Sequence, residues 1–198
     1  MPEAKLTATL IAIDEINSQD QNIIDFDGIS HPKELIYGKQ MSACLEQHWP
    51  NSAEVLQIAV RAQHIQRWQL KRTEFAQGKA GYYQWRIALG KFHAQLTEKL
   101  MIEQGYSLEL AAETASILRK ENLKTNNNTQ TLEDVACLVF LQYYFDDFAQ
   151  KYTAQNNEAK IIRIVQKTWG KMSDKAHNVA LAMSFPEHLA KLIQKALA

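Results

Sequence analysis

Apolar residues recur every three or four positions along most of the chain, which is the spacing that places them on one face of an α-helix. Near the start, Leu6, Leu10, Ile13 and Ile16 follow this spacing, and a polar stretch then extends to Ser30. The same spacing predicts helices over these approximate ranges: 3–18, 32–48, 53–70, 81–104, 107–120, 131–150, 157–172, 173–183 and a last one from 184. The pattern therefore predicts an all-α fold.

Residues that start and stop helices support several of these boundaries. Gly105 can end the long helix before it, and Ser107 can cap the helix that follows. Residues 78–81 contain two glycines and are expected to interrupt the helical pattern. The polar run 126–128 is expected to form a loop before a helix that Thr131 opens with a capping box.

Length and composition favour a single domain inside the cell. A chain of 198 residues can bury one sizeable core, so we expect one all-helical domain over residues 1–198. Cys44 and Cys137 both lie in apolar helical stretches, which argues against a disulfide framework and indicates a reducing compartment. No export signal is visible, and no uncharged run reaches the roughly 18 residues of a membrane span. We therefore expect a cytoplasmic protein that has no membrane segment.

Charge is unevenly distributed although the whole chain is formally neutral. Residues 1–60 hold three lysines and nine acidic residues, whereas residues 61–93 hold seven cationic residues and one acidic residue. The remainder is balanced. The cationic segment also contains tryptophans and tyrosines, so it is the part of the chain whose composition most suggests a binding surface.

Three polar residues lie on the predicted apolar faces of separate helices: His64, His93 and Asp134. Imidazoles and a carboxylate that meet in a helical core can bind Mn, Fe, Ni or Zn, and such an ion can generate hydroxide at neutral pH. They can equally be core residues that are satisfied by hydrogen bonds, and Asp134 also fits the third position of the Thr131 capping box. The pattern alone leaves both interpretations open.

A second group of residues suits phosphate and aromatic ligands. Guanidinium groups bind phosphate oxygens in pairs, and aromatic rings stack on bases, so this grouping is typical of a nucleotide or single-stranded RNA site. The alternative is a solvated basic surface whose aromatic residues belong to the core. The candidate binding residues are Arg61, Arg67, Trp68, Lys71, Arg72, Tyr82, Trp85 and Arg86.

Several long segments of the chain are distinctive: 61–68, 81–86, 91–94, 130–141 and 167–172. They resemble the family catalogued as domain of unknown function 4202. The resemblance extends over nearly the whole chain and implies a soluble helical protein. One departure is the segment 69–72, where a proline is expected before the arginine.

The sequence is also distantly similar to the HD superfamily of metal-dependent phosphohydrolases, which are all-helical domains with a His, a later His-Asp doublet and a final Asp as ligands. This similarity implies a degenerate HD-like fold in which His64, His93 and Asp134 hold a divalent metal. Ala94 replaces the aspartate of the doublet. Either Glu34 or Glu133 then substitutes for it, or metal binding is lost.

These observations favour a metal-dependent phosphohydrolase-like enzyme that acts on a phosphorylated small molecule or nucleotide. Metal-bound hydroxide would be the nucleophile, and Arg61, Arg67 and Arg86 would hold the phosphate oxygens. One alternative is a non-catalytic module that binds nucleotide or RNA through residues 61–93, and another is a structural protein with hydrogen-bonded core residues. The sequence does not determine the substrate or the oligomeric state.

Overall fold

A computed structural model describes residues 2–26 and 28–198, with side chains for residues 4–26 and 28–198. Helices form most of this part of the chain and the one sheet described in it is a two-stranded hairpin, which confirms the predicted all-α class. The elements are α1 (Pro2–Asn17), β1 (Ile23–Phe26), β2 (Ile29–Pro32), α2 (Lys33–His48), α3 (Glu54–Ala62), α4 (Gly78–Glu103), α5 (Leu108–Leu118), α6 (Asn127–Val139), α7 (Phe145–Thr153), α8 (Glu158–Trp169), α9 (Asp174–Leu181) and α10 (Glu187–Leu197).

The chain forms two compact units, Met1–Leu132 and Glu133–Ala198. A single domain over residues 1–198 stays a prediction. No helix in residues 2–26 and 28–198 has the combination of length and apolar character that a membrane crossing requires.

The first unit is organised around α3, which packs against α1, α2 and α5. The apolar residues of this short helix are buried, whereas Glu54, Gln57 and Arg61 lie three and four residues apart on its remaining, partly exposed side. Gly38 of α2 approaches α3 closely: a Cβ atom at this position would lie only 3.0 Å from the carbonyl oxygen of Arg61. The absence of a side chain at position 38 therefore allows the α2 backbone to lie directly against α3.

The hairpin β1–β2 was not predicted, because the sequence between α1 and α2 was expected to be a polar connection. Its strands pair in antiparallel register, with Ile24 opposite His31. Ile23 and Ile29 are 56% and 60% exposed, so the hairpin contributes little to the core. Four-residue strands with exposed apolar side chains leave no alternating pattern long enough to be recognised.

The predicted helix over residues 53–70 ends early, at Ala62. Gln66 adopts a left-handed backbone conformation with φ of 49°, and a short 3-10 turn, Arg67–Gln69, follows. Left-handed residues cannot continue a right-handed helix. His64 and Arg67 therefore lie in a turn, although their spacing continues the helical pattern.

Two further boundaries differ from prediction. Gly78 has φ of +87° and begins α4 instead of interrupting the helical pattern. The predicted loop at residues 126–128 contains the start of α6, where the Asn126 side chain accepts a hydrogen bond from the backbone N–H of Thr129. Thr131 therefore lies inside a helix and does not open one.

The predicted long helix at residues 131–150 is divided by a π-helical turn, Phe140–Tyr144. Other predictions agree with the structure: Ser107 caps α5 through its side chain, and Gly105, with φ of +81°, follows the end of α4. In the second unit α8 packs against α7 and α10, with Phe145 and Ile161 fully buried.

Candidate functional site

The first unit contains a cavity of about 370 Å³. Ligand sites in proteins commonly have volumes of this order or larger, roughly 300 to 1,000 Å³. Residues from the α3–α4 connection, from α4 and from the end of α5 line it: Gln63, His64, Arg67, Tyr83, Arg86, Ile87, Leu89, Gly90, Lys91, His93, Leu118, Arg119, Lys120 and Glu121. Two of the three residues predicted as metal ligands, His64 and His93, thus lie at one cavity.

The helix α4 supplies one wall of the cavity. Tyr83, Arg86, Gly90 and His93 follow each other at intervals of three or four residues, so they lie along one side of this helix. His93 is only 4% exposed, whereas Tyr83 is half exposed. This wall therefore changes from buried and polar at His93 to open and aromatic at Tyr83.

The end of α5 supplies a second set of lining residues. Lys120 follows the helix in a left-handed conformation with φ of 58°, and its backbone N–H donates to the carbonyl oxygen of Ile117. Glycine is the usual residue at such a position because a Cβ atom is disfavoured there. The lysine thus occupies a backbone conformation that is unfavourable for it while lining the cavity.

Positive charge dominates the described residues that line this cavity: five are cationic, and Glu121 is the single acidic one. Glu121 already binds Arg119, with 2.7 Å between Arg119 Nε and Glu121 Oε1. The remaining lining cations are Arg67, Arg86, Lys91 and Lys120. Such a concentration of like charge in a concave surface attracts anions.

His64 has a carboxylate behind it and a guanidinium in front of it. Its Nδ1 lies 2.9 Å from Glu34 Oε2, and its Nε2 lies 3.2 Å from Arg67 Nη1. Arginine can only donate, so Nε2 accepts and the proton of the neutral ring belongs on Nδ1, where it is donated to Glu34. The two neighbours therefore select one tautomer and leave the Nε2 lone pair directed toward Arg67.

The charges around His64 oppose its protonation. Burial, followed by the positive charges of Arg67, Arg86, Lys120 and Lys33, holds the pKa of His64 well below its usual range. Burial also raises the pKa of Glu34 to about 7, although Arg67 and Lys33 oppose this increase. Near neutral pH, therefore, His64 is a neutral base and Glu34 is poised between its two protonation states.

Aromatic contacts fix the positions of both groups. The Tyr37 ring stacks on the His64 ring with 3.9 Å between their centroids. Trp85 lies 4.8 Å from the Arg67 guanidinium, and its indole N–H donates to the carbonyl oxygen of Leu70. The Trp85 indole, which is itself held by its hydrogen bond, thus restricts the position of the Arg67 guanidinium.

His93 is a buried residue that carries an unused ring nitrogen. Its Nε2 has no hydrogen-bond partner among the described residues, and the ring is hydrogen-bonded to the backbone of Gln63. Burial and the charges of His64, Arg67 and Arg86 lower the pKa of His93 well below its usual range. The ring centroids of His93 and His64 are 6.1 Å apart. The Nε2 atom of a neutral His93 can thus accept a hydrogen bond close to Arg67 and Arg86.

Several predicted binding residues have other partners. The Arg61 guanidinium binds the Asp14 carboxylate at 2.8 Å and Ser42 Oγ at 2.8 Å, and Arg72 donates to the carbonyl oxygens of Phe75 and Gly78. These contacts hold helices and a loop together. The following predicted residues are absent from the cavity lining: Arg61, Trp68, Lys71, Arg72, Tyr82 and Trp85.

Asp134, the third predicted metal ligand, belongs to the second unit. Both of its carboxylate oxygens accept hydrogen bonds from Ser173, one from the backbone N–H at 2.8 Å and one from the hydroxyl group at 2.5 Å. Over residues 2–26 and 28–198, no three His, Cys, Asp or Glu side chains gather into a group suited to a metal. The metal triad stays a prediction.

Some residues of the site carry no distinctive sequence pattern. Glu34 is only 6% exposed, and its carboxylate contacts His64. Its position at the start of α2 carries no motif. Arg119, Lys120 and Glu121 form an ordinary charged helix end, and Tyr83 and Lys91 lie within the cationic segment that was recognised.

Comparison with known families decides the classification. Residues 7–193 match the family described as Domain of unknown function (DUF4202). The chain belongs to this family. The match covers His64, Arg67, Arg86 and His93, so the whole cavity of this DUF4202 protein lies inside the family's domain. No curated protein and no solved structure matches the chain significantly, and similarity to the HD superfamily stays a prediction.

Proposed function

We propose that this DUF4202 protein is a phosphohydrolase that binds a phosphorylated small molecule in the cavity of its first unit. The observation that carries the proposal is the combination of a carboxylate-backed imidazole, His64, with the guanidinium groups of Arg67 and Arg86 in one cavity. Guanidinium groups recognise phosphate, and an imidazole with a lowered pKa can act as a general base at neutral pH.

The phosphate group has a defined place in this proposal. Arg67 and Arg86 both line the cavity, and both lower the pKa of the two histidines, so their charges act at the same point. A phosphate dianion between them offsets the mutual repulsion of the two guanidinium groups. Arg67 then donates to phosphate oxygens and releases His64 Nε2.

The reaction follows from that release. His64 Nε2 accepts a proton from a water molecule while the water oxygen forms a bond to phosphorus and the ester P–O bond breaks. The same proton returns from His64 to the leaving oxygen, which departs as an alcohol, and inorganic phosphate remains. Glu34 accepts the hydrogen bond of Nδ1–H and stabilises the ring while it carries the extra proton, in the manner of a catalytic carboxylate.

A divalent metal ion is not required by this scheme. His64 and His93 are imidazoles of the cavity, but the His64 nitrogens already face Glu34 and Arg67, and among the described residues no three His, Cys, Asp or Glu side chains form a group suited to a metal ion. The residues present therefore do not fit a complete metal site, and no step is assigned to an ion. Metal analysis of protein purified without chelator, beside a His64→Ala variant, tests the predicted Mn, Fe, Ni or Zn directly.

Hydrolysis of phosphate monoesters tests the proposal. We expect inorganic phosphate release from a panel of aryl, sugar and nucleoside monophosphates, at least about a hundredfold slower in His64→Gln, because the general base is lost. Arg86→Gln should raise KM by about tenfold or more, since a charge-assisted phosphate contact is removed. Lys99→Gln is the matched control: it removes a positive charge from α4 at a side chain that is 76% exposed and outside the cavity.

A second candidate function is binding without catalysis, because Arg67 occupies Nε2 of His64 in the structure. In this case phosphate esters or RNA would bind and Arg86→Gln would weaken binding, while no phosphate would be released. Binding of RNA would also weaken steeply with salt. Turnover that persists in His64→Gln would contradict the hydrolase proposal, and the absence of any phosphate binding would contradict both candidates.

A further inference from the structure

We propose that the ligand of this cavity carries an aromatic ring next to its phosphate, and that the ring packs on Tyr83 and Ile87. The inference rests on the proposed function because it takes the phosphate to lie between Arg67 and Arg86. It goes further by assigning the class of the organic part of the ligand.

Two exposed apolar side chains adjoin the cationic group. Tyr83 is 50% exposed and Ile87 is 60% exposed, and both line the cavity. They are four residues apart on α4, so they lie one above the other on the helix surface. Single exposed apolar residues are common, but an adjacent pair at the edge of a cavity is typical of a binding surface.

Neighbouring residues hold the Tyr83 ring without covering it. The Tyr82 and Tyr83 ring centroids are 5.9 Å apart in an edge-to-face arrangement, and Lys79 Nζ lies 5.9 Å from the Tyr83 ring centroid. The first distance is ordinary for an aromatic pair, and the second is near the outer limit of a cation–π contact. Half of the side chain remains open to a ligand, and an aromatic ligand ring gains more from contact with it than a flexible polar group does.

Gly90 lies between Tyr83 and Ile87 on one side and the end of α5 on the other, and it has no side chain to fill the cavity there. A Cβ atom at Gly90 would lie 3.7 Å from the carbonyl oxygen of Leu118, so any larger side chain would extend into the cavity. Leu118 and Leu89 are buried and line the same cavity. Ile87, Leu89 and Leu118 therefore contribute apolar side chains to the lining of the same cavity, and these favour contact with a ligand ring over contact with a hydrated sugar.

Polarity changes with depth, which gives the ligand a direction. His93 is almost fully buried and His64 is mostly buried, whereas Tyr83 and Ile87 are half exposed or more. The charges that act on the two histidines include Arg67 and Arg86. An anionic group therefore goes inside, and the apolar part of the same molecule lies at the opening.

Calorimetric titration with phosphonates tests the inference, because hydrolysis does not cleave their C–P bond. We expect benzylphosphonate to bind about tenfold more tightly than methylphosphonate, with butylphosphonate between them. Tyr83→Ala and Ile87→Ala should each reduce this ratio to about threefold or less, and Tyr83→Phe should preserve it. Ile102→Ala is the control, because Ile102 is another exposed isoleucine of α4, 42% exposed, and lies outside the cavity.

The outcomes separate this inference from the proposed function. Equal affinities for all three phosphonates, each weakened by Arg86→Gln, would overturn the aromatic class and leave the phosphate site intact. A higher affinity for benzylphosphonate that Tyr83→Ala does not change would also overturn it. Absence of binding by every phosphonate would overturn the proposed function and the inference together.

Discussion

Each unit of this protein buries an acidic residue beside a helix, and the two residues differ in what neutralises them. Asp134 in the second unit is 2% exposed, and both its oxygens accept hydrogen bonds from the neutral groups of Ser173 at the start of α9. Glu34 in the first unit is 6% exposed, and it faces an imidazole and, at 3.9 Å, an arginine. Asp134 is thus held at the start of α9, whereas Glu34 contacts His64, which lines a cavity.

The difference shows which buried polar residue indicates a function. A carboxylate that is satisfied by a helix terminus stabilises the fold. A carboxylate whose pKa is raised by burial, and whose imidazole neighbour has a lowered pKa, costs stability that a purely structural group would not. Glu34 and His64 are of this second kind, so the first unit is the part of the molecule in which to look for chemistry.

The largest effect on stability should follow the loss of the Asp134 carboxylate in the second unit. Asp134→Ala leaves the backbone N–H and hydroxyl group of Ser173 without their acceptors, which should lower the free energy of unfolding by about 3 kcal/mol. Urea denaturation followed by circular dichroism measures this. Phosphonate affinity at the cavity should not change.

Asp134→Asn provides the matched control, since its carbonyl oxygen can still accept from the Ser173 N–H and should recover part of the loss. If phosphate binding or bound metal disappeared along with stability in Asp134→Ala, Asp134 would belong to the functional site, as the sequence predicted.

A somewhat smaller effect on stability, which depends on pH, should follow the removal of the Glu34 carboxylate in the first unit. The folded-state pKa of Glu34 is raised from 4.5 to about 7, so the folded protein retains a proton that the unfolded chain releases between these values. Stability from this group is therefore fully present below pH 4.5 and is lost as pH rises through 7. Glu34→Gln has no such loss, and its stability relative to wild type should increase by about 2 to 3 kcal/mol between pH 5 and pH 8.

Urea denaturation of both proteins at the two pH values measures this difference. The two histidines near Glu34 contribute in the opposite direction, since their lowered pKa values cost stability as pH falls below 6.5, but they are present in both proteins. A difference between the variant and wild type that stays constant with pH would show that Glu34 is ionised in the folded protein throughout this range.

The smallest effect concerns the backbone beside the cavity. Lys120 and Asn122 both have left-handed conformations, with φ of 58° and 55°, but only Lys120 lines the cavity. Lys120→Gly should raise the free energy of unfolding by up to about 1 kcal/mol, because glycine accepts this conformation freely, and should weaken phosphonate binding by about threefold.

Asn122→Gly should leave phosphonate affinity unchanged, and it should stabilise the protein less because asparagine already tolerates this conformation. Calorimetry and urea denaturation on the two variants test both statements. If affinity falls equally in the two variants, the effect of Lys120 comes from the flexibility of the loop and not from its charge.

Much of the fold could be predicted because most helices bury one face and carry the corresponding spacing. The ends were harder to predict where the deciding residue is not glycine or proline. Gln66 turns the chain after α3, yet glutamine favours helix, and residues 64 and 68 continue the apolar spacing. The π-helical turn Phe140–Tyr144 likewise lies within an uninterrupted apolar pattern.

The candidate site could be predicted only in part. The cationic segment contains His64, Arg67, Arg86 and His93, and all four line the cavity. Composition could not distinguish these four residues from Arg61, which binds Asp14. The pairing of Arg61 with Asp14 depends on how α1 packs against α3. The partner of His64 comes from a helix about thirty residues earlier and has no sequence motif, so tertiary packing alone brings it to the site.

Gly38 contributes to this site by what it lacks. It lies four residues after Glu34 on the same face of α2, at the point where that helix meets the Arg61 carbonyl of α3, and His64 follows three residues later. A methyl group there would lie 3.0 Å from the Arg61 carbonyl oxygen, so the two helices would have to separate slightly, and that shift would act on the 2.9 Å hydrogen bond between Glu34 and His64. The proposed reactivity of His64 therefore depends partly on Gly38, a residue that has no functional group of its own.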